Sequence, residues 1–167
     1  MQIIPRININ YNHKEIFSIL KSFFIKKNYR NIFENDFAEK FKLEKCFAVS
    51  SARGALYLIL KSLNLPEDSE IIVPEYTFFA IPKVINSLGY KNIYAIINIK
   101  TLCIDPDDIL KKITPKTKAL VVEHSFGQSV EIEEIKKICS EKNIFLIEDC
   151  AQSCGCKYNN QYVRMFQ

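Results

Sequence analysis

The chain has 167 residues, 48% of them hydrophobic and 25% charged, which suits one globular domain with a core of its own. Its net charge of +4 is spread among mixed-sign residues, so it carries neither a nucleic-acid nor a membrane footprint. No apolar run approaches the roughly 20 residues of a membrane helix. The start, Met1-Gln-Ile-Ile-Pro-Arg6, lacks the basic head and apolar core of a signal peptide, and a cytoplasmic location is the expectation.

From His13 to Lys27, residues Ile16, Ile19, Leu20, Phe23 and Phe24 recur at helical spacing, with lysines on the other face. Phe33, Phe37 and Phe41 extend that pattern from Asn31, so residues 1–42 are expected to form a helical arm. Cys46 to Ser50 reads as a short buried segment. Ser51 or its neighbour then caps a helix that runs to Lys61. Glu70 to Val73 is a strand stopped by Pro74, and Phe78 to Leu88 a helix that tolerates Pro82 only in its first turn.

The strand Ile93 to Ile97 comes next, then a helix opened by Asp105-Pro106 and ending at Lys112. Strand Lys118 to Val122, helix Glu131 to Glu141 and strand Ile144 to Ile147 follow. Lys157 to Val163 reads as a hairpin turning at Asn159-Asn160. This alternation predicts a three-layer α/β/α domain with a mostly parallel sheet, joined by right-handed crossovers, over residues 43–167.

In a parallel sheet the strand exits gather along one edge, where ligands bind. Four exits here carry polar or aromatic groups: Ser50-Ser51-Ala52-Arg53, Pro74 to Phe78, Glu123 to Gly127, and Glu148-Asp149 with Gln152. Asp149 is the most telling, because a carboxylate released from a buried strand can hold a charged ring nitrogen. The plainer reading makes it the cap of the next turn. Both acids of the pair are expected to face a ligand instead of the core. Ser51 opens a helix whose free N–H groups make a phosphate seat, or it is an ordinary cap. Together the loops suit a flat, phosphorylated, nitrogen-containing ring. Cys150, Cys154 and Cys156 lack the spacing of a common zinc site; small buried thiols are the preferred reading, with a redox or metal protein as the alternative.

From about Phe33 to Val163 the chain resembles the pyridoxal-phosphate-dependent sugar aminotransferases of the DegT/StrS type. The resemblance rests on Phe47-Ala-Val-Ser-Ser-Ala-Arg-Gly-Ala-Leu56, Ile71 to Phe78, Ile104-Asp-Pro106, Ile113 to Ala119, His124-Ser-Phe-Gly-Gln128 and Ile147 to Ser153. It implies the N-terminal part of the large domain of a fold type I enzyme, whose parent moves an amino group, with glutamate as donor, to a nucleotide-linked keto-sugar. A homodimer is implied as well.

By the same resemblance Asp149 pairs with the pyridine nitrogen of pyridoxal 5'-phosphate, Gln152 bonds the ring's phenolic oxygen and Phe78 stacks on the ring face. Ala52 and Arg53 stand where the family has Gly-Thr at the phosphate, and Arg53 can replace the hydroxyl by direct pairing. Ser51, Tyr76 and His124 are candidates to line the site, His124 being equally a hydrogen-bonded structural histidine. The family's Schiff-base lysine falls beyond Gln167, Lys157 lies too early to replace it, and the small C-terminal domain is absent. No catalytic residue is therefore expected among these 167 residues. The ending, Tyr162 to Gln167, departs from the family's pattern, and a truncated or frameshifted copy or a partial sequence is the expectation there. The other readings are a non-catalytic cofactor-binding or scaffold chain, and a sugar dehydratase on the same scaffold.

Overall fold

The computed structural model describes residues 12–25, 27–158 and 161–162. They fall in two compact units, one ending at Ala48 and the other beginning at Val49. In the first, α1 (His13–Ser22) opens with a reciprocal cap: Asn12 Oδ1 accepts the Glu15 N–H at 3.0 Å, and the Glu15 carboxylate accepts the Asn12 N–H at 2.7 Å. The helix stops earlier than its apolar pattern. Asn28 caps a new one instead, α2 (Tyr29–Phe41), by accepting the Asn31 N–H. Along α2 the rings of Phe33, Phe37 and Phe41 stand 5.6 and 4.4 Å apart in succession.

The second unit alternates helices and strands: α3 (Ala52–Ser62), β1 (Glu70–Pro74), α4 (Ala80–Ser87), β2 (Lys91–Ala95), α5 (Pro106–Lys112), β3 (Thr117–Glu123), α6 (Ile132–Lys142) and β4 (Phe145–Asp149). The four strands pair in parallel in the order β2-β1-β3-β4. Alternate residues of each strand face opposite sides of the sheet. Ile71 and Val73 of β1, with Ala119 and Val121 of β3, pack against Leu56 and Leu60 of α3 and Ile81 and Ile85 of α4. Ile72, Leu120 and Val122 meet Ile109 of α5 and Ile132, Ile135 and Ile138 of α6 on the other side. The domain is therefore three-layered, with helices covering both faces of a parallel sheet.

That arrangement fixes the place of the site. From β1 the chain moves outward to β2 through α4, whereas from β3 it moves the opposite way to β4 through α6. Crossovers of one hand that travel in opposite directions must put their helices on opposite faces. The connections part between β1 and β3, and a crevice opens at the carboxyl ends of those two strands.

Three expectations need correction. Cys46 to Ser50 is not a buried segment: Phe47 and Val49 are exposed at 75% and 44%, and no ladder partner holds this stretch among the described residues. Strand β2 starts two residues before the predicted one, because Lys91 to Ala95 align with Glu70 to Pro74. The chain then leaves the sheet as the Ile96 N–H turns to the Asp108 carboxylate at 2.9 Å. Lastly, β4 lies at the edge of the sheet among the described residues, and its first residue, Phe145, is half exposed, so full burial is confined to Ile147 and Glu148. Elsewhere the agreement is close. Pro82 lies in the first turn of α4 and Asp105 caps α5, as predicted. Lys157–Tyr158 pairs antiparallel with Gln161–Tyr162, while the expected turn at Asn159-Asn160 and the end at Val163 lie outside the described residues.

Ile72, wholly buried at the centre of the α5/α6 face, tests this layering. Ile72→Ala is expected to lower the unfolding free energy by about 2–5 kcal/mol. Urea denaturation followed by circular dichroism would show this as a lower midpoint at unchanged slope.

Candidate functional site

Strand alternation decides what each exit residue can do. Ile147 of β4 and Val121 of β3 point to the α3/α4 face, so Asp149 and Glu123, two residues further on, point the same way. They are direct register partners at the ends of neighbouring strands. Asp149 Oδ1 accepts the Ala151 N–H at 2.8 Å, which is a turn-capping bond, and Oδ2 is left to a second donor. The carboxylate is half-buried. Capping and ligand binding are thus compatible in one side chain.

Glu148 alternates to the opposite face and is sealed there, at 1% exposure. This corrects the expectation that both acids face a ligand. Its Oε2 lies 3.1 Å from His124 Nε2, and His124 is equally buried. The Val130 N–H donates to His124 Nδ1 at 3.3 Å, so Nδ1 is the unprotonated nitrogen and Nε2–H is directed to Glu148. His124 therefore does not line the open site; it is the hydrogen-bonded structural histidine. Its own N–H continues the ladder by donating to the Asp149 carbonyl at 3.1 Å.

The remaining candidates lie at the surface. Ser51 Oγ accepts the Gly54 N–H at 3.1 Å and caps α3, whose Ala52 and Arg53 N–H groups have no intrahelical acceptor. Arg53 is exposed, and no carboxylate pairs with it among the described residues. Tyr76 and Phe78 are exposed at 57% and 58%, and Phe78 precedes α4, so it is not a core aromatic of that helix. Gln152 Oε1 accepts the Phe126 N–H at 2.9 Å, which leaves its amide NH₂ as a donor.

Two contributors had not been singled out from the sequence. Phe126 adopts a left-handed φ of 54°, a strained conformation for a bulky residue that the Gln152 bond holds in place, and its ring stands 6.4 Å from that of Tyr76. Glu123 accepts a hydrogen bond from the Thr77 hydroxyl, which ties β3 to the loop after β1. Only that contact between distant segments sets Glu123 apart from an ordinary strand-end acid.

Of the three clustered cysteines Cys150 is buried, Cys156 partly so and Cys154 exposed, so the expectation of small buried thiols needs correction at Cys154. Burial, reinforced by Glu148, pushes the Cys150 thiol up to about 12, so it is no thiolate at neutral pH. Among the described residues no group of three or more His, Cys, Asp or Glu side chains could hold a metal ion, and no helix is long and apolar enough to cross a membrane.

A model of the DegT/DnrJ/EryC1/StrS aminotransferase family matches residues 8–167. The chain belongs to this family. It is 38% identical over 141 residues to the GDP-perosamine synthase of Escherichia coli O157:H7, covering 84% of this chain and 39% of the relative. The aminotransferase from Psychrobacter cryohalolentis superposes with a TM-score of 0.88 at 25% identity, over 93% of this chain and 41% of that one. The E. coli GDP-4-keto-6-deoxy-D-mannose-3-dehydratase with bound hydrated PLP gives 0.84 at 28% identity, over 94% and 43%. The chain thus spans about two fifths of the length of the relatives it matches.

Within this family member the Glu123 carboxyl is held above its ordinary value of 4.5, first by burial and then by the neighbouring Asp149, against the opposing effect of the Thr77 hydroxyl. A raised carboxyl binds its proton more tightly in the folded state than in the unfolded one. Stability therefore falls as pH rises from 4.5 through the folded value, and the whole cost is present above it. Glu123→Gln is expected to gain stability relative to the parent between about pH 4 and about pH 7, measured by denaturation at both.

Proposed function

We propose that this chain forms part of the cofactor and substrate site of a pyridoxal-phosphate-dependent sugar aminotransferase. The observation that carries the reading is the half-buried Asp149 carboxylate at the switch crevice. Its Oδ1 is fixed by a turn, and it lies on the sheet face covered by the helix that opens at Ser51.

The residues present fit pyridoxal 5'-phosphate. Asp149 Oδ2 would accept the ring N–H and keep that nitrogen charged. Gln152, with its oxygen engaged by Phe126, would turn its NH₂ to the phenolic oxygen. Phe78 would bear on the ring face. The Ala52 and Arg53 N–H groups would take the phosphate, with the Arg53 guanidinium as a further donor, while Tyr76 and Ser51 would line the rim. When bound, the cofactor supplies a ring that accepts negative charge from the substrate carbon. These side chains hold the ring, fix its plane and keep its nitrogen protonated.

The substrate follows from relatives, among them GDP-perosamine synthase and a dTDP-3-amino-3,6-dideoxy-alpha-D-galactopyranose transaminase. Both names specify an aminated sugar on a nucleotide. We place this chain's parent activity in that class, with an amino acid such as glutamate as donor. The helical arm of residues 1–42 and the cofactor-binding region from residue 43 would act within a homodimer. A cytoplasmic location accords with cysteines that form no disulfide among the described residues. Likeness to the dehydratase, at a similar identity, supports one further reading: the same cofactor in a sugar dehydration.

Titrating the purified chain with pyridoxal 5'-phosphate and following the cofactor's absorbance tests the site directly. Saturable binding is expected. Asp149→Ala is expected to weaken it about tenfold or more, the scale of one charged hydrogen bond; equal affinity in the two proteins would refute the assignment.

A further inference from the structure

Phe78 is more than half exposed, and its one ring neighbour among the described residues is Phe79, 4.6 Å away and just as exposed. Burial therefore does not orient it. Nor does the start of α4, since Phe79 at its N-cap makes no side-chain cap bond. The segment from Pro74 to Phe79 has backbone ties to β2 and into α4: the Glu75 N–H donates to the Ala95 carbonyl at 2.8 Å, and the Ile81 N–H to the Phe78 carbonyl at 2.9 Å. Its side-chain tie to β3 is Glu123. That carboxylate accepts the Thr77 hydroxyl. The strand partner of Glu123 is Asp149.

We propose that Glu123 is a positioning residue: by bonding the Thr77 hydroxyl it clamps the loop after β1 to the strand ends where Asp149 lies. The Phe78 ring is thereby set in advance for a flat heteroaromatic ring. The role in binding rests on the cofactor reading above, whereas the clamp itself does not. A second carboxylate beside Asp149 is costly to desolvate, and an apolar side chain at the end of β3 would avoid that cost. What an apolar residue cannot supply is an acceptor for the Thr77 hydroxyl in a loop whose helix has no side-chain cap bond.

Amide hydrogen exchange of the unliganded full chain reads the clamp without any cofactor. In Glu123→Ala the Ile81 amide, which is bonded to the Phe78 carbonyl, should exchange about tenfold faster, while the Val121 and Val122 amides in the middle of β3 keep their protection. Thr77→Val, which removes only the hydroxyl, should act in the same direction and replaces Glu123→Ala if that variant fails to fold. Unchanged protection at Ile81 would overturn the proposal.

A double-mutant cycle on pyridoxal 5'-phosphate affinity then tests the link to binding. Glu123→Ala should weaken binding several-fold beside Phe78, and no further once Phe78→Ala is present. Independent, additive losses would refute action through Phe78. If even the parent chain binds no cofactor, the cofactor reading fails alone, and the exchange measurement still decides the clamp.

Discussion

Parallel pairing of β1 with β3 is the constraint on which the rest of this molecule depends. Each parallel neighbour has to be reached by a crossover, and from this pair the crossovers leave in opposite directions, with α4 on one face and α6 on the other. No crossover helix runs over the carboxyl ends of the two strands among the described residues, so the residues just beyond them border a crevice that the Thr77 to Glu123 bond spans. Thr77 and Phe78 come from one side of it and Glu123 from the other. One strand further along lies Asp149. The side chains nominated for binding are thus gathered by sheet order, although they are scattered along the sequence.

The chemical character of the crevice follows from relative magnitudes. The start of α3 contributes its dipole and its unpaired N–H groups, yet a helix dipole at an exposed site is worth only about 0.3–1 kcal/mol. Hydrogen bonds to a charged group contribute about 1.5–3 kcal/mol each. The Ala52 and Arg53 N–H groups, and the Arg53 guanidinium, would therefore decide how well an anion is held, with the dipole only assisting. Against them stand two adjoining carboxylates, one kept above its usual range by burial and by the other. A molecule with a cationic nitrogen at one end and an anion at the other would relieve both imbalances together.

Much of this was legible in the sequence because local signals and tertiary demands agreed. Asp105 before Pro106, the tolerated position of Pro82 and the alternating apolar runs all read correctly, since cap chemistry and strand period are local properties. The misreadings share one cause: they concern which side of an element is covered. Phe47 and Val49 belong to an apolar run that stays exposed among the described residues. Strand β2 is displaced because its limits are set by pairing with β1, not by its own composition. Glu123 looked like any strand-end acid until Thr77, 46 residues earlier, supplied its partner. Contacts at that separation leave no periodic trace.

The buried pair of His124 and Glu148 shows how such a contact can define a site without belonging to it. A buried carboxylate beside a histidine is seldom a net gain in stability, because desolvation offsets most of the attraction, and Glu148 Oε1 moreover has no hydrogen-bond partner among the described residues. What the pair supplies is register. Glu148 and Asp149 are chemically alike and adjacent, so hydrophobic pattern alone separates them weakly, and a slip of β4 by one residue would exchange their faces. His124 removes the ambiguity. Its Nδ1 is engaged by the Val130 N–H, its Nε2–H needs an acceptor on the α5/α6 side, and its own N–H binds the Asp149 carbonyl. Only the observed register meets all three demands. Glu148 is held in the core, and Asp149 has to emerge on the side where α3 begins.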